Sequence, residues 1–274
     1  MDLVNNMDPI LNVTDLNIEF FDKDKPQTVV YDFDLTMYPG EIVGLVGESG
    51  SGKSMSALSI AGLLSRANLK KKGSIIFNNI DMLTAERDKL RKIQGDDIGM
   101  IFQEPLTSLN PVLRIEKQVE ECLKLHRDYS KEERHERVLN ALKDVEIRDP
   151  ELVMRQYPHE LSGGMRQRVM IAMAMINEPK LLIADEPTTA LDVTVQAQII
   201  KLLKKLNEEK NTAILFISHD LSLVKTLCKR VLVMKNGYIV ESGEADEIFK
   251  SPKDEYTKKL IAAIPKIEGK VFHE

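Results

Sequence analysis

Ile42-Val43-Gly44-Leu45-Val46-Gly47-Glu48-Ser49-Gly50-Ser51-Gly52-Lys53-Ser54 is the stretch that decides the fold. Ile42–Gly47 is continuously apolar, the pattern of a strand covered on both faces of a parallel sheet. Gly47–Ser54 fits G-x-x-x-x-G-K-[ST], and Lys53 to Leu64 carries a helical pattern. Strand, glycine loop and helix in that order build an anion cradle. Glycines let backbone N–H groups of Gly47, Glu48, Ser49, Gly50, Ser51 and Gly52 wrap phosphates without Cβ clashes. The helix that follows points its unpaired N–H groups at the anion. Lys53 can reach the outer phosphates of a nucleoside triphosphate, and the Ser54 hydroxyl can ligate Mg²⁺. Alone, the motif indicates a P-loop NTPase core, which kinases, GTPases, helicases and recombinases share.

Leu181–Asp185 and Ile214–Ser218 are two further apolar runs of strand length. Val193 to Asn207 and Leu221 to Cys228 read as helices after them. Repeated strand, loop and helix predict an α/β fold with a mostly parallel sheet and ligands at the carboxyl ends of its strands. One of those ends carries Asp185-Glu186. Beside a phosphate loop, Asp185 is placed to hold Mg²⁺, and Glu186 to polarise an attacking water as general base.

The flanks differ. Leu11 to Phe20 and Val29 to Met37 alternate apolar and polar residues, which predicts an antiparallel β layer near the nucleotide. Arg230–Lys235 and Tyr238–Glu241 flank Asn236-Gly237, a hairpin signal. Between them, Ile115 to Arg127 and Lys131 to Val145 are charged amphipathic helices, read as an inserted helical subdomain. The expected organisation is one domain over 1–274. Its α/β core spans about 1–104 and 166–250, the helical subdomain about 105–165, and a short tail about 251–274.

Composition narrows the function classes. Of the 274 residues, 43% are apolar and 5% aromatic, so the core must be aliphatic. The net charge of -5 gives no basic footprint, and no nucleic-acid partner is expected. Lys70 to Lys72 read as a solvated basic cluster, and His126, His135 and His159 as surface residues. No run approaches the roughly 18 apolar residues of a spanning helix, so a membrane role must come through a partner. Cys122 and Cys228 lie far apart in apolar-periodic stretches and read as free, buried or half-buried thiols in a reducing compartment. The N-terminus shows no signal-peptide pattern.

Ser162-Gly163-Gly164 before a helix makes a second anion-binding helix start. An ordinary glycine helix entry is its other reading. A nucleotide has one triphosphate, and residues 47–54 already hold it. The economical account is a dimer in which Ser162, Gly163, Gly164 and Met165 face the nucleotide of a partner subunit.

With these residues in place, the sequence resembles the ABC ATPases over nearly its whole length. Leu161–Gln167 resembles the family signature. Gln103, in Ile101-Phe102-Gln103-Glu104-Pro105, matches the Q-loop glutamine. Ala190-Leu191-Asp192 matches the D-loop, which places Asp192 at the partner's nucleotide. His219, in Ile217-Ser218-His219-Asp220, matches the switch histidine that contacts the γ-phosphate. Phe20 stands where the family stacks an aromatic on adenine, with adjacent Phe21 as the alternative that strand phase leaves open. The resemblance adds Gln103 to Ser54 and Asp185 as Mg²⁺ ligands, and docks the helical subdomain on a transmembrane subunit.

Phe102–Pro111, Tyr157–Arg168 and Asp185–Gln198 resemble the peptide/nickel importer subfamily. Met165, where most relatives carry Gln, resembles its oligopeptide and dipeptide D-type ATPase. That resemblance implies a bacterial importer and a heterodimer with a second, related ATPase. It adds two transmembrane permeases and an extracytoplasmic solute-binding protein, and puts the chain peripherally on the cytoplasmic side of the cell membrane. Peptides are the preferred cargo, with nickel or another metal chelate as the alternative. Longer relatives continue into a cysteine-containing extension associated with an iron–sulfur cluster; this sequence stops at Glu274, so no cluster is expected. A soluble ABC ATPase of translation or repair is the competing class. A P-loop kinase or GTPase would leave Ser162–Met165 unexplained.

Overall fold

The computed structural model describes residues 8–22, 25–65, 68–103, 108–189 and 191–264. Glu104–Thr107 of the subfamily segment, Ala190 of the D-loop and residues 265–274 of the tail lie outside them. So does the expected boundary at 104–105.

Strands β1 (Leu11–Asp22) and β2 (Lys25–Met37) pair antiparallel, as their alternation predicts. After β3 (Ile42–Val46) comes helix α1 (Lys53–Ile60). It is a turn shorter than the sequence suggests, because Gly62 turns the chain away at φ 69. β4 (Leu69–Phe77) and β5 (Ile80–Asp81) complete a four-stranded sheet in the order β2-β1-β4-β5. The sequence reading missed β4, whose Lys70-Lys71-Lys72 hides the strand signal. These lysines are not simply solvated. Lys72 pairs with Glu19 on β1, and half-buried Lys71 donates to the Leu64 carbonyl at 3.0 Å.

Helix α2 (Arg87–Ile93) leads to β6 (Ile98–Ile101), also unread in the sequence because it is only four residues long. Helices α3 (Ile115–His126), α4 (Lys131–Asp144) and α5 (Pro150–Arg155) follow. Ser130 and Glu133 form a reciprocal capping box that starts α4. Helix α6 (Gly163–Met175) runs across the expected boundary at 165–166 and leads into β7 (Leu181–Asp185). The chain then forms α7 (Val193–Lys210), β8 (Ala213–Ser218), α8 (Leu221–Leu227), β9 (Arg230–Lys235) and β10 (Tyr238–Glu244). Helices α9 (Ala245–Lys250) and α10 (Glu255–Ala262) end the described chain. Asn236 and Gly237 both take positive φ, 49° and 86°, as a two-residue type I′ hairpin requires.

The second sheet has six strands in the order β10-β9-β3-β8-β7-β6, with β9, β3, β8, β7 and β6 parallel. Every residue of β3, β7 and β8 is buried, which is why these runs read as continuously apolar. Alternate residues serve two cores. Val43 and Leu45, Leu181 and Ile183, and Leu215 and Ile217 pack toward the four-stranded sheet and α1. Ile42 and Val46, Leu182 and Ala184, and Ile214 and Phe216 face the other side. There they join α6, α7, α8 and the helices of the 115–155 segment. The parallel sheet is thus the middle layer, and its carboxyl ends carry the loops described next.

Candidate functional site

Strand β3 is followed by Gly47, whose Cβ, if present, would collide with the Met234 carbonyl oxygen on β9. Gly52, at φ 109, fits under the Met234 side chain and the Val29 carbonyl of β2. Gly50, at φ 79, has open space where its Cβ would point. Gly237 of the hairpin donates its N–H to the Ser51 carbonyl at 2.9 Å. The loop is therefore pressed against β2 and β9 on one side and open on the other. Glu48, Ser49 and Gly50 are exposed. Gly52 caps α1 without a side-chain acceptor, which leaves the first N–H groups of α1 free for an anion.

Lys53 is buried, and its ammonium donates to the carbonyls of Gly47 and Glu48, both at 2.8 Å. Burial lowers its pKa below the usual lysine value, while Glu186, Asp185 and Glu48 oppose that shift. Asp185, also buried, is pushed in the other direction by desolvation, and a hydrogen bond from Ser54 counters it. Its Oδ1 atom is buried with no hydrogen-bond partner. An orphaned carboxylate oxygen beside a serine hydroxyl is a hard, oxygen-only donor set. That fits Mg²⁺, whose remaining positions are filled by water and phosphate oxygens.

Glu186 gathers the remaining candidates. Gln103, just beyond β6, donates its amide to Glu186 Oε2 at 3.0 Å. Thr189 Oγ1 donates to the same oxygen at 2.9 Å. His219 Nδ1 lies 3.3 Å from it. His219 sits in the turn between β8 and α8, where Ser218 Oγ accepts from Asp220 N–H and Asp220 caps α8. Glu186 has φ 47, a left-handed conformation that a non-glycine residue adopts at a cost of about 1–3 kcal/mol. Its N–H continues the sheet by donating to the Ile217 carbonyl at 2.9 Å. The bent backbone turns the carboxylate out of the strand toward Gln103 and His219.

Thr189 lies within the Asp185–Gln198 segment, where the family resemblance gives it no role. The spacing was a usable signal: Glu186-Pro187-Thr188-Thr189 is a turn with Pro second, closed by a Thr189 N–H to Glu186 carbonyl bond at 3.2 Å. That turn returns the hydroxyl to the acid.

Two helix starts form a separate group. Ser162 caps α6 by accepting from Met165 N–H at 3.3 Å, which leaves its own O–H free to donate outward. Asp192 caps α7 by accepting from Val195 N–H at 3.0 Å. They are neighbours: a Cβ on Gly164 would stand 2.9 Å from Val195, and one on Gly163 3.7 Å from Leu191. Ser162, Gly163 and Asp192 are exposed, and Gly164 and Met165 half-buried. Phe20 is half-buried on β1, opposite Gln27 and Leu69, whereas Phe21 is exposed. Cys122 is half-buried and Cys228 buried, both free. His135 and His159 are exposed as expected, but His126 is half-buried.

The comparisons with known proteins converge on one family. Residues 30–189 match the model described as "ABC transporter". The oligopeptide transport ATP-binding protein OppD of Escherichia coli K12 is 48% identical over 96% of this chain and 77% of its own length. The dipeptide transport ATP-binding protein DppD of Haemophilus influenzae is 48% identical over 95% of this chain and 79% of its own. The peptidoglycan transport ATP-binding protein YejF of Agrobacterium fabrum is 51% identical over 96% of this chain, which spans only 48% of that protein. Among solved structures, the dimeric post-hydrolysis state of the ATP-binding cassette MJ0796, bound to ADP and Pi, superposes with a TM-score of 0.77 at 32% identity. That match covers 86% of this chain and 98% of the cassette. Loop, acids and helix starts thus occur together in a fold whose relatives are transport ATPases, and the chain belongs to the ABC transporter ATP-binding family.

Proposed function

We propose that this chain is the ATP-hydrolysing motor of a bacterial peptide importer. The convergence of Gln103, Thr189 and His219 on one carboxylate oxygen of Glu186 carries the catalytic part. A carboxylate fixed at a strand end, beside a phosphate loop, is placed to accept a proton from a water attacking the γ-phosphate. Thr189 and Gln103 orient it. His219, 61% exposed at its side chain, is free to reach the γ-phosphate and that water. Residues 47–54 hold the triphosphate, and Lys53, held ready by two carbonyls, turns to the β- and γ-oxygens. Phe20 would stack the adenine.

Ser54 and Asp185, with the amide oxygen of Gln103, would hold Mg²⁺. When bound, the ion neutralises charge on the phosphate oxygens. Its binding can be read without turnover, as a Mg²⁺-dependent rise in ATP affinity that Asp185→Asn abolishes.

The exposed helix starts support a paired arrangement. Ser162, Gly163, Gly164, Met165 and Asp192 would cap the nucleotide held by a second, related ATPase, whose equivalent loop caps this one. Val193, 78% exposed beside Asp192, is an apolar residue suited to burial against that partner. Two permeases and an extracytoplasmic solute-binding protein complete the assembly. Among the described residues no helix is long and apolar enough to cross a membrane. As a subunit that feeds on ATP, the chain would work peripherally, on the cytoplasmic face. The relatives' names favour peptides over metal chelates as cargo.

Glu186→Gln tests the catalytic part. It should keep ATP affinity while phosphate release falls on the order of 10²-fold or more, the usual worth of a general base. Phosphate release near wild type would remove Glu186 from the role.

A further inference from the structure

The nucleotide loop has an anchor far outside the matched residues 30–189. Glu48 N–H donates to the hydroxyl of Tyr256, on α10, at 2.9 Å. The phenol is firmly placed. Glu241 of β10 accepts from the N–H groups of Lys253 and Asp254 at 2.8 and 3.0 Å, which clamps the entry to α10. Asp254 in turn accepts from Tyr256 N–H at 2.8 Å. Tyr256 is 7% exposed, and the Lys235 ammonium stands 4.8 Å from its ring centre.

The bonded peptide unit gives this contact its meaning. The Gly47 carbonyl and the Glu48 N–H belong to one planar amide. Its oxygen accepts from Lys53 Nζ at 2.8 Å, and its N–H is held by Tyr256. Rotation of that plane would move the oxygen off Lys53. The hairpin holds the loop at Ser51 but leaves this peptide free. We propose that Tyr256 is a positioning residue for ATP binding, whose hydroxyl fixes the Gly47–Glu48 peptide so that its carbonyl seats Lys53 for the triphosphate. The inference rests on reading residues 47–54 as the ATP loop.

Tyr256→Phe keeps the ring and its packing and removes only the acceptor. ATP turnover of the assembled transporter, ATP-analogue binding to the purified chain, and hydrogen exchange at the Glu48 amide would be measured. A net hydrogen bond corresponds to a KM and Kd increase of roughly three- to tenfold. Turnover at saturating ATP should stay within about twofold, because the lost interaction serves binding rather than the transition state. The Glu48 amide should exchange faster, with the melting temperature of the nucleotide-free chain lowered by no more than the few degrees that one hydrogen bond is worth. Wild-type KM and wild-type Glu48 exchange in the variant would overturn the proposal. So would a raised KM with an equal fall in kcat and a melting temperature lowered by more than one hydrogen bond accounts for, which marks general loosening. If the wild-type chain bound no ATP, the reading of residues 47–54 would fall first and take this inference with it.

Discussion

Glu186 and Gly47 occupy backbone that most residues avoid, for opposite reasons. Gly47 is glycine because the Met234 carbonyl occupies the space a Cβ would need. Gly47→Ala should push the loop from its seat and cost about 1–3 kcal/mol by overpacking. ATP affinity should drop more than stability, as binding and unfolding titrations on one sample would reveal. Glu186 takes φ 47 although it is not glycine, and under the proposed function its carboxylate is needed there. Thr189 helps hold it. Thr189→Val preserves the shape and removes the donor, so ATP affinity should hold while kcat falls by roughly three- to tenfold. Steady-state kinetics with a parallel binding assay would separate the two. At this scale the sequence was informative about residue type. Lys53, Ser54, Asp185 and Glu186 could be picked out by motif and order. Thr189 was signalled only by the Pro187 turn, and Tyr256 by nothing local, because its role depends on where a distant helix brings a single hydroxyl.

Among the elements, α3 and α4 are joined by charge. Glu120 on α3 is buried and accepts from Lys124 at 2.7 Å, Lys117 at 2.9 Å and, across on α4, Arg134 at 3.4 Å. Burial alone would raise its pKa; the hydrogen bonds from Lys124 and Lys117 outweigh this and hold it below 4.5. A depressed carboxylate pKa stabilises the fold above its unfolded value, and that contribution disappears as pH falls through the folded pKa. Unfolding curves should therefore show an acid loss beginning below about pH 4.5. Glu120→Gln should flatten that loss and cost about 1.5–3 kcal/mol at neutral pH, the worth of a charged hydrogen bond. At the start of α6, Ser162→Ala should cost about 1 kcal/mol through the lost cap. If Ser162 also faces the partner's nucleotide, transporter turnover should fall further than this loss accounts for. Periodicity located α3, α4 and α7 to within a few residues. It missed β4 and β6, one masked by lysines and the other too short to carry a pattern.

For the whole molecule, the proposal requires that ATP favour a closed pair over separate subunits. Moving such an equilibrium from mostly open to mostly closed takes about 5.5 kcal/mol of differential affinity. Two helix starts and Lys53 around one γ-phosphate can supply interactions of that size in a dry interface. Glu186→Gln, which should bind without hydrolysing, is expected to accumulate the closed pair with its companion ATPase in ATP. Light scattering of the two purified subunits would show a doubled mass that ADP does not produce. Absence of nucleotide-dependent pairing under those conditions would refute the shared-nucleotide arrangement.

The sequence by itself determined the α/β class, the phosphate loop, the acid pair and the order of the family's motifs. Each of these is local: a run of buried apolar residues, a glycine spacing or a strand ending in two acids constrains only its own few residues. Tertiary structure alone decided what meets what. It brought Gln103 and His219 onto one oxygen of Glu186, and set the hydroxyl of Tyr256 against Glu48, 208 positions away. Such meetings depend on the order of strands in a sheet and on the packing of two cores across it, which no local pattern of residues encodes.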